Sequence, residues 1–227
     1  VSSLTSNVST TDHAISGVET LEVEAKLANG STLDLSRTVE ADLIAGITTI
    51  QIDAANNDTS GGGTDNADDV IVTVNDIVDE TIEIQSLGSS DSSNLSSVTV
   101  NLKTDTGDAD SVSIKTLNPS STTTTVLDAL TVDRASNAAN NLVEVVNLEI
   151  GSTDVSSTDG TAIASLDLTY TETLNITGSG DATITALELK DPSGSSTATI
   201  NAGTHTGNLT LSTGFKSTAA CESKITF

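Results

Sequence analysis

Two acidic loops are the stretches of this 227-residue chain whose residue types and spacing could do chemistry. Residues 53–69 read DAANNDTSGGGTDNADD, and residues 105–110 read DTGDAD. Calcium takes about six to eight hard oxygen ligands from carboxylates, amides and backbone carbonyls, and glycines let the backbone turn its carbonyls toward an ion. The loops therefore predict calcium sites with eight candidate ligands: Asp53, Asp58, Asp65, Asp68, Asp69, Asp105, Asp108 and Asp110.

The same loops have a second interpretation as acidic turns that are simply solvated. Each is followed directly by a predicted strand, at 70–74 and at 111–117, as a plain turn would be. Three carboxylates within six residues repel one another unless a cation lies between them. The sequence leaves both interpretations open.

Catalytic chemistry is poorly represented elsewhere. His13 and His205 lie far apart in polar surroundings, and the single cysteine, Cys221, has no partner motif. The chain has two Phe, one Tyr and no Trp, so the aromatic platforms usual in sugar clefts are missing. We expect no enzymatic activity, and we retain a polysaccharide-degrading β-helix enzyme only as the weakest alternative.

Net charge excludes several classes of partner. The chain carries 32 acidic and 8 basic residues, for a formal charge of −24. Nucleic-acid binding depends on clustered Lys and Arg, and anionic membranes repel acidic surfaces, so neither is an expected partner. No apolar run is long enough to span a membrane, and we expect no membrane insertion. An excess of carboxylates favours divalent cations.

Alternating apolar and polar residues indicate strands throughout the chain, most clearly over 165–213. A short phrase, as in Glu80-Thr81-Ile82-Glu83-Ile84, recurs with its central apolar residue at 21, 50, 82, 112, 148 and 174. An irregular repeat of about thirty residues with a narrow aliphatic core is typical of stacked coils. The predicted fold is an all-β, irregular β-solenoid, parallel β-helix-like, with two or three short strands per coil. Tandem β-sandwiches, which share the strand pattern, are the alternative.

Composition divides the chain into three predicted segments. Residues 1–118 form an N-terminal β-rich segment with the Asp/Gly loops, and residues 126–227 form a C-terminal solenoid segment. The polar stretch 119–125, PSSTTTT, is the predicted joint. The chain starts at Val1 and contains no Met, so we expect it to be a fragment of a longer array.

Several phrases resemble the repeats of bacterial surface-layer proteins and of related repeats-in-toxin-type exported proteins. They are ETLNIT at 172–177, TINA at 199–202 with TGNLTL at 206–211, and GDADSV at 107–112. The loop at 61–69 is similar to the calcium-binding nonapeptide G-G-x-G-x-D-x-U-x of that family, although Thr64 replaces its third glycine. The resemblance implies calcium binding, export from the cell and assembly into a lattice.

The function expected from these observations is structural. We expect an extracellular, cell-surface protein whose calcium-stabilised segment self-assembles, as a homo-oligomer or lattice, into a bacterial surface layer or filament. Cell-surface polysaccharide is a further expected partner. The stalk of a surface adhesin is the alternative function, and it would remain monomeric where a lattice protein would assemble.

Overall fold

The strand pattern read from the sequence is present along the whole described chain. A computed structural model describes residues 2–4, 15–27, 35–56, 70–86, 96–104, 110–117, 125–134, 143–151, 160–189, 198–212 and 224–226. These residues form eighteen β-strands and one 3₁₀ turn, η1 (Ala41–Leu43). The chain is therefore all-β, as predicted.

The strands belong to two long sheets and one short pair. The nine-stranded sheet contains β1 (Ser2–Leu4), β3 (Thr20–Leu27), β6 (Thr49–Asn56), β8 (Thr81–Ser86), β10 (Ser111–Leu117), β12 (Val143–Ile150), β14 (Thr171–Gly178), β16 (Thr199–His205) and β18 (Lys224–Thr226). The seven-stranded sheet contains β4 (Leu35–Glu40), β7 (Val70–Ile77), β9 (Ser96–Leu102), β11 (Thr125–Asp133), β13 (Gly160–Leu168), β15 (Asp181–Leu189) and β17 (Leu209–Leu211). The short pair is β2 (Ile15–Ser16) with β5 (Ile44–Ala45).

The order of the strands is that of a solenoid. Within each long sheet the strands follow chain order, and from β3 onward successive strands of the nine-stranded sheet are separated along the chain by one strand of the seven-stranded sheet. Every pair among the described strands is parallel, such as β6 with β8 and β7 with β9. Each coil thus contributes one strand to each sheet, and antiparallel sandwiches do not describe this topology. At about 4.8 Å between strands, the nine-stranded sheet is about 40 Å long.

Aliphatic side chains stack from coil to coil in the core between the two sheets. In the nine-stranded sheet, consecutive strands place these residues in register: Leu21, Ile50, Ile82, Ile114, Leu148 and Ile176. Two centres of the recurring phrase, Val112 and Leu174, are not part of this column; they stand in the neighbouring column on the same inward face. A slip of two residues preserves the face of every side chain, so the alternation could not reveal it.

One corner of the solenoid is a column of glycines. Gly151 donates its N–H to Thr116 O at 2.9 Å, and Gly180 donates to Ile150 O at 3.2 Å. A Cβ on Gly180 would lie 2.7 Å from Gly151 O, and a Cβ on Gly207 would collide with Gly180 O. Only glycine allows successive coils to approach this closely at the corner. The two-residue connection from β14 to β15, Ser179-Gly180, turns here.

β13 ends at Leu168, and Tyr170 lies in the turn that follows it. The Tyr170 ring stacks under the Arg134 guanidinium, which is 3.8 Å from the ring centroid. Most of the predicted joint lies outside the described residues. Its last residue, Thr125, begins β11, and both long sheets continue across this stretch of the chain.

Candidate functional site

The structure describes two of the eight candidate calcium ligands, Asp53 and Asp110. The other six lie outside the described residues, and their assignment stays a prediction: Asp58, Asp65, Asp68, Asp69, Asp105 and Asp108. The two described candidates lie in different strand ladders of the nine-stranded sheet. Asp53 pairs with Glu24 and Gln85, whereas Asp110 directly precedes β10.

Asp53 lies inside β6, so the first acidic loop begins four residues later than the sequence suggested. Its side chain is buried, with 7% exposure for the residue. Lys26 on the neighbouring strand β3 places its Nζ 2.6 Å from Asp53 Oδ2 and 3.2 Å from Glu24 Oε1. The hydrogen bond with Asp53 is the main cause that raises the pKa of Lys26 above its ordinary value. An ammonium group therefore already neutralises this carboxylate.

Lys26→Met is expected to lower the free energy of unfolding by about 1–3 kcal/mol at neutral pH, because the buried Asp53 carboxylate loses its charged partner. Lysine deprotonates as the pH rises through its raised folded pKa. The stabilisation by the pair is therefore fully present below the ordinary pKa of 10.5 and is lost at higher pH. Urea unfolding at neutral and alkaline pH measures both effects.

Lys115→Met is the matched control for this prediction. The Lys115 side chain is 33% exposed against 30% for Lys26, but its partners are farther away, at 4.0 Å from Glu83 and 3.6 Å from Glu149. A loose surface pair of this kind contributes no more than about 0.5 kcal/mol. Equal losses in the two variants would contradict the assignment of Asp53 as a buried carboxylate that depends on Lys26.

Asp110 belongs to a short column of carboxylates on neighbouring coils. Its backbone N–H donates to Glu144 Oε2 at 2.7 Å, and Glu172 lies on the next strand beyond Glu144. Burial is the main cause that raises the pKa of Glu144, and the charges of Asp110 and Glu172 raise it further. Of these three residues only Asp110 belongs to the second acidic loop. The column places three carboxylates on neighbouring coils.

In chelator-treated protein, Glu144→Gln is expected to raise the melting temperature at neutral pH. The folded state holds the Glu144 proton more tightly than the unfolded chain, so stability falls as the pH rises from the ordinary pKa of 4.5 through the raised value. Glutamine removes this cost and keeps an oxygen that accepts from Asp110 N–H. The gain should disappear below pH 4.5, where glutamate is protonated in both states.

Glu149→Gln provides the control, because the Glu149 side chain is 52% exposed and lies beside Lys115. It should show no gain at neutral pH. A cation bound at the carboxylate column would reverse the sign of the Glu144→Gln effect when calcium is added. If Glu144→Gln lowered the melting temperature in chelator, the prediction that the buried Glu144 charge destabilises the fold would be contradicted.

A ladder of asparagines on the outward face was missed by sequence reasoning. Asn175 Nδ2 donates to Asn147 Oδ1 at 2.8 Å, and Asn201 Nδ2 donates to Asn175 Oδ1 at 3.0 Å. Each amide thus bonds the next coil as the backbone does, and the chain of bonds locks the coils in register. Asn147, Asn175 and Asn201 each follow an apolar residue of an alternating run, but only the strand register shows that their amides meet.

Outward charges of the nine-stranded sheet also stack from coil to coil. One column runs through Glu22, Gln51, Glu83, Lys115 and Glu149 on consecutive strands. His205 ends β16, with its Nδ1 3.3 Å from Thr177 O, whereas His13 and Cys221 lie outside the described residues.

Within the described part of the chain, no three or more His, Cys, Asp or Glu side chains are grouped so that they could hold a metal ion. Among the same residues, no helix has the length and apolar character needed to cross a membrane. No protein-family model, curated protein or solved structure matches the chain.

Proposed function

We propose that this chain is a structural segment of an extracellular surface layer or filament, stabilised by calcium and built to self-assemble. The observation that carries the proposal is the topology: coils stack through two parallel sheets and one continuous aliphatic core. Such a fold is rigid along its axis and repeats its surface from coil to coil. A repeating rigid surface is what an array of identical subunits requires.

The distribution of charge supports an environment rich in divalent cations. Formal charge is −24, and Lys26, Lys103 and Lys115 are each within 4.0 Å of a carboxylate oxygen. The remaining acidic residues oppose close packing of copies unless cations screen or bind them. Extracellular calcium is the cation that the loop compositions favour, as argued from the sequence.

The proposal is tested by sedimentation velocity and negative-stain microscopy of the chain after chelator treatment and again after calcium is added. Calcium should produce large, ordered assemblies that chelator disperses. Magnesium at the same concentration, and sodium chloride at the same ionic strength, separate specific binding from screening.

A chain that becomes more stable with calcium but stays monomeric would support the adhesin-stalk alternative instead. A chain that neither assembles nor becomes more stable with calcium would overturn both functions.

A further inference from the structure

Three carboxylates meet where β4 ends and η1 begins. Glu40 is the last residue of β4, Asp42 lies in η1, and Asp76 lies near the end of β7, the neighbouring strand. The Asp76 side chain is hydrogen-bonded to Glu40, and the charges of Glu40 and Asp42 both act on it. We call Glu40 and Asp76 the carboxyl pair, and residues 41–45, which are η1 and β5, the η1 corner.

A bulge in β7 places Asp76 beside Glu40. β7 pairs with β9 in register as far as Val74, and the register shifts before Ile77. Val74 and Ile77 are both buried, so the bulge adds the polar residues Asn75 and Asp76 between two core positions. Asp76 has a φ of +60°, a left-handed conformation that aspartate adopts more readily than most residues. A bulge of this kind turns a side chain away from the regular alternation.

A chain of amide hydrogen bonds identifies which member of the carboxyl pair accepts. Asn101 Nδ2 donates to Asn75 Oδ1 at 2.7 Å, and Asn75 Nδ2 donates to Glu40 Oε1 at 3.0 Å. Glu40 therefore ends a chain of donors that crosses β9, β7 and β4. An ionised carboxylate accepts such bonds without a proton of its own. Asp76 is then the member that holds the proton when the two carboxyl groups bond each other.

One ammonium group lies beside these three carboxylates. Lys103, which follows β9, places its Nζ 3.0 Å from Asp42 Oδ2. Burial is the main cause that raises the pKa of Asp76, the charges of Asp42 and Glu40 raise it further, and the charge of Lys103 opposes them. With Asp76 ionised, three negative charges would share one positive charge at this edge of the sheet.

The other charged residues around β7 have partners of their own. On β4, Arg37 donates to Ser36 O at 3.1 Å, and in the turn after β7, Glu80 accepts from the backbone N–H groups of Val78 and Asp79. The charged residues of β3 and β6 lie on the outward face of the nine-stranded sheet: Glu22, Glu24, Lys26 and Asp53. The balance at Asp76 is therefore set by Glu40, Asp42 and Lys103.

We propose that the carboxyl pair is a pH-sensitive contact that holds the η1 corner against β7. When Asp76 carries a proton, it donates to Glu40 and joins the end of β4 to the next coil. When Asp76 is ionised, it repels Glu40 and Asp42, and the η1 corner opens locally. β5 pairs over two residues with β2, so this corner has little ladder to resist opening.

The direction of the pH effect follows from the raised pKa of Asp76. The folded chain holds this proton more tightly than the unfolded chain does. The stabilisation is therefore fully present below the ordinary pKa of 3.8 and is lost as the pH rises through the raised folded value. This contact acts within one chain and does not depend on the self-assembly proposed above.

Asp76→Asn tests the contact, because its Nδ2 can donate to Glu40 at every pH, as only the protonated acid can. Amide hydrogen exchange of residues 41–45 is compared between variant and parent chain at matched pH, with chelator present. At neutral pH we expect exchange to be slower in the variant by about fivefold or more. Below pH 3.8 the two chains should exchange alike, since Asp76 of the parent chain is then protonated.

Two further variants separate the contact from net charge. Asp79→Asn removes the same charge from the exposed turn after β7 and should exchange like the parent chain. Glu40→Gln removes the carboxylate that Asp76 faces, so it should also slow exchange at neutral pH. NMR titration of the Asp76 carboxyl carbon should show a pKa above 3.8 in the parent chain and a lower pKa in Glu40→Gln.

Slower exchange in Asp76→Asn and Glu40→Gln, with an unchanged Asp79→Asn, supports the contact. Equal slowing in Asp76→Asn and Asp79→Asn would assign the effect to net charge and overturn it. Unchanged or faster exchange in Asp76→Asn at neutral pH would also overturn it, because the ionised Asp76 would then cost the corner nothing. If Asp76→Asn does not fold, Glu40→Gln and the Asp76 titration decide: a pKa at or below 3.8 in the parent chain overturns the contact.

Discussion

Gly178→Val is expected to be among the most damaging single substitutions in the solenoid. Gly178 ends β14 with a φ of +97°, and a Cβ at this position would collide with the backbone carbonyl of Ile150 on the previous coil. The strain of a β-branched residue at positive φ adds to this overlap, and neither coil can move without losing its ladder hydrogen bonds. We expect the free energy of unfolding to fall by about 3 kcal/mol or more, as measured by urea unfolding.

Gly17→Val separates the two causes of this loss. Gly17 has a similar φ of +79°, but a Cβ there would have no atom within 4 Å. It should show backbone strain alone, about 1–2 kcal/mol. Equal losses at the two positions would mean that the close approach of coils at Gly178 contributes nothing.

Ile82→Ala is the second large effect, and it tests the stacked core. Ile82 is fully buried and lies between Ile50 and Ile114 in register on the neighbouring strands. Alanine lacks the γ and δ carbons of isoleucine, so the substitution leaves a cavity between neighbouring coils. Such deletions cost about 2–5 kcal/mol. In a stack where each coil is supported only by its neighbours, the damage should reach both sides of β8.

Thr81→Ala is the control, because Thr81 directly precedes Ile82 in β8 and faces outward. It should change stability by no more than about 0.5 kcal/mol. Hydrogen exchange should show faster exchange in β6 and β10 for Ile82→Ala and not for Thr81→Ala. Loss confined to β8 would contradict the shared core.

The strands could be predicted because apolar residues recur at every second position of a half-buried strand. The strands that contain Leu21 and Ile84 show this alternation clearly. The solenoid was favoured over a sandwich only by the recurrence of the phrase, since alternation is the same in both. The phrase does not give the register between coils, because its centres Val112 and Leu174 stand two residues away from the column of Leu148, and a two-residue shift leaves the alternation unchanged. The glycine corner and the asparagine ladder depend on which residues meet between coils. That information appears only once the register is known.

The candidate site was less predictable than the fold. Asp53 was read as a loop ligand because acidic residues and glycines follow it, but the strand continues through it to Asn56. Its partner, Lys26, lies 27 positions away along the chain and is brought close only by the pairing of β3 with β6. Glu144 was not singled out at all, because its neighbours Asp110 and Glu172 belong to other coils. Contacts between coils, which no local pattern encodes, decide the chemistry of these carboxylates.

The most direct test of a calcium-stabilised solenoid is the melting temperature of chelator-treated protein as calcium is added up to millimolar concentration. A ligand that binds only the folded chain raises the melting temperature with its concentration. We predict a rise with calcium that magnesium at equal concentration does not reproduce, and a smaller rise for Asp108→Asn/Asp110→Asn. An unchanged melting temperature at millimolar calcium would contradict the account, and both acidic loops would then be solvated turns.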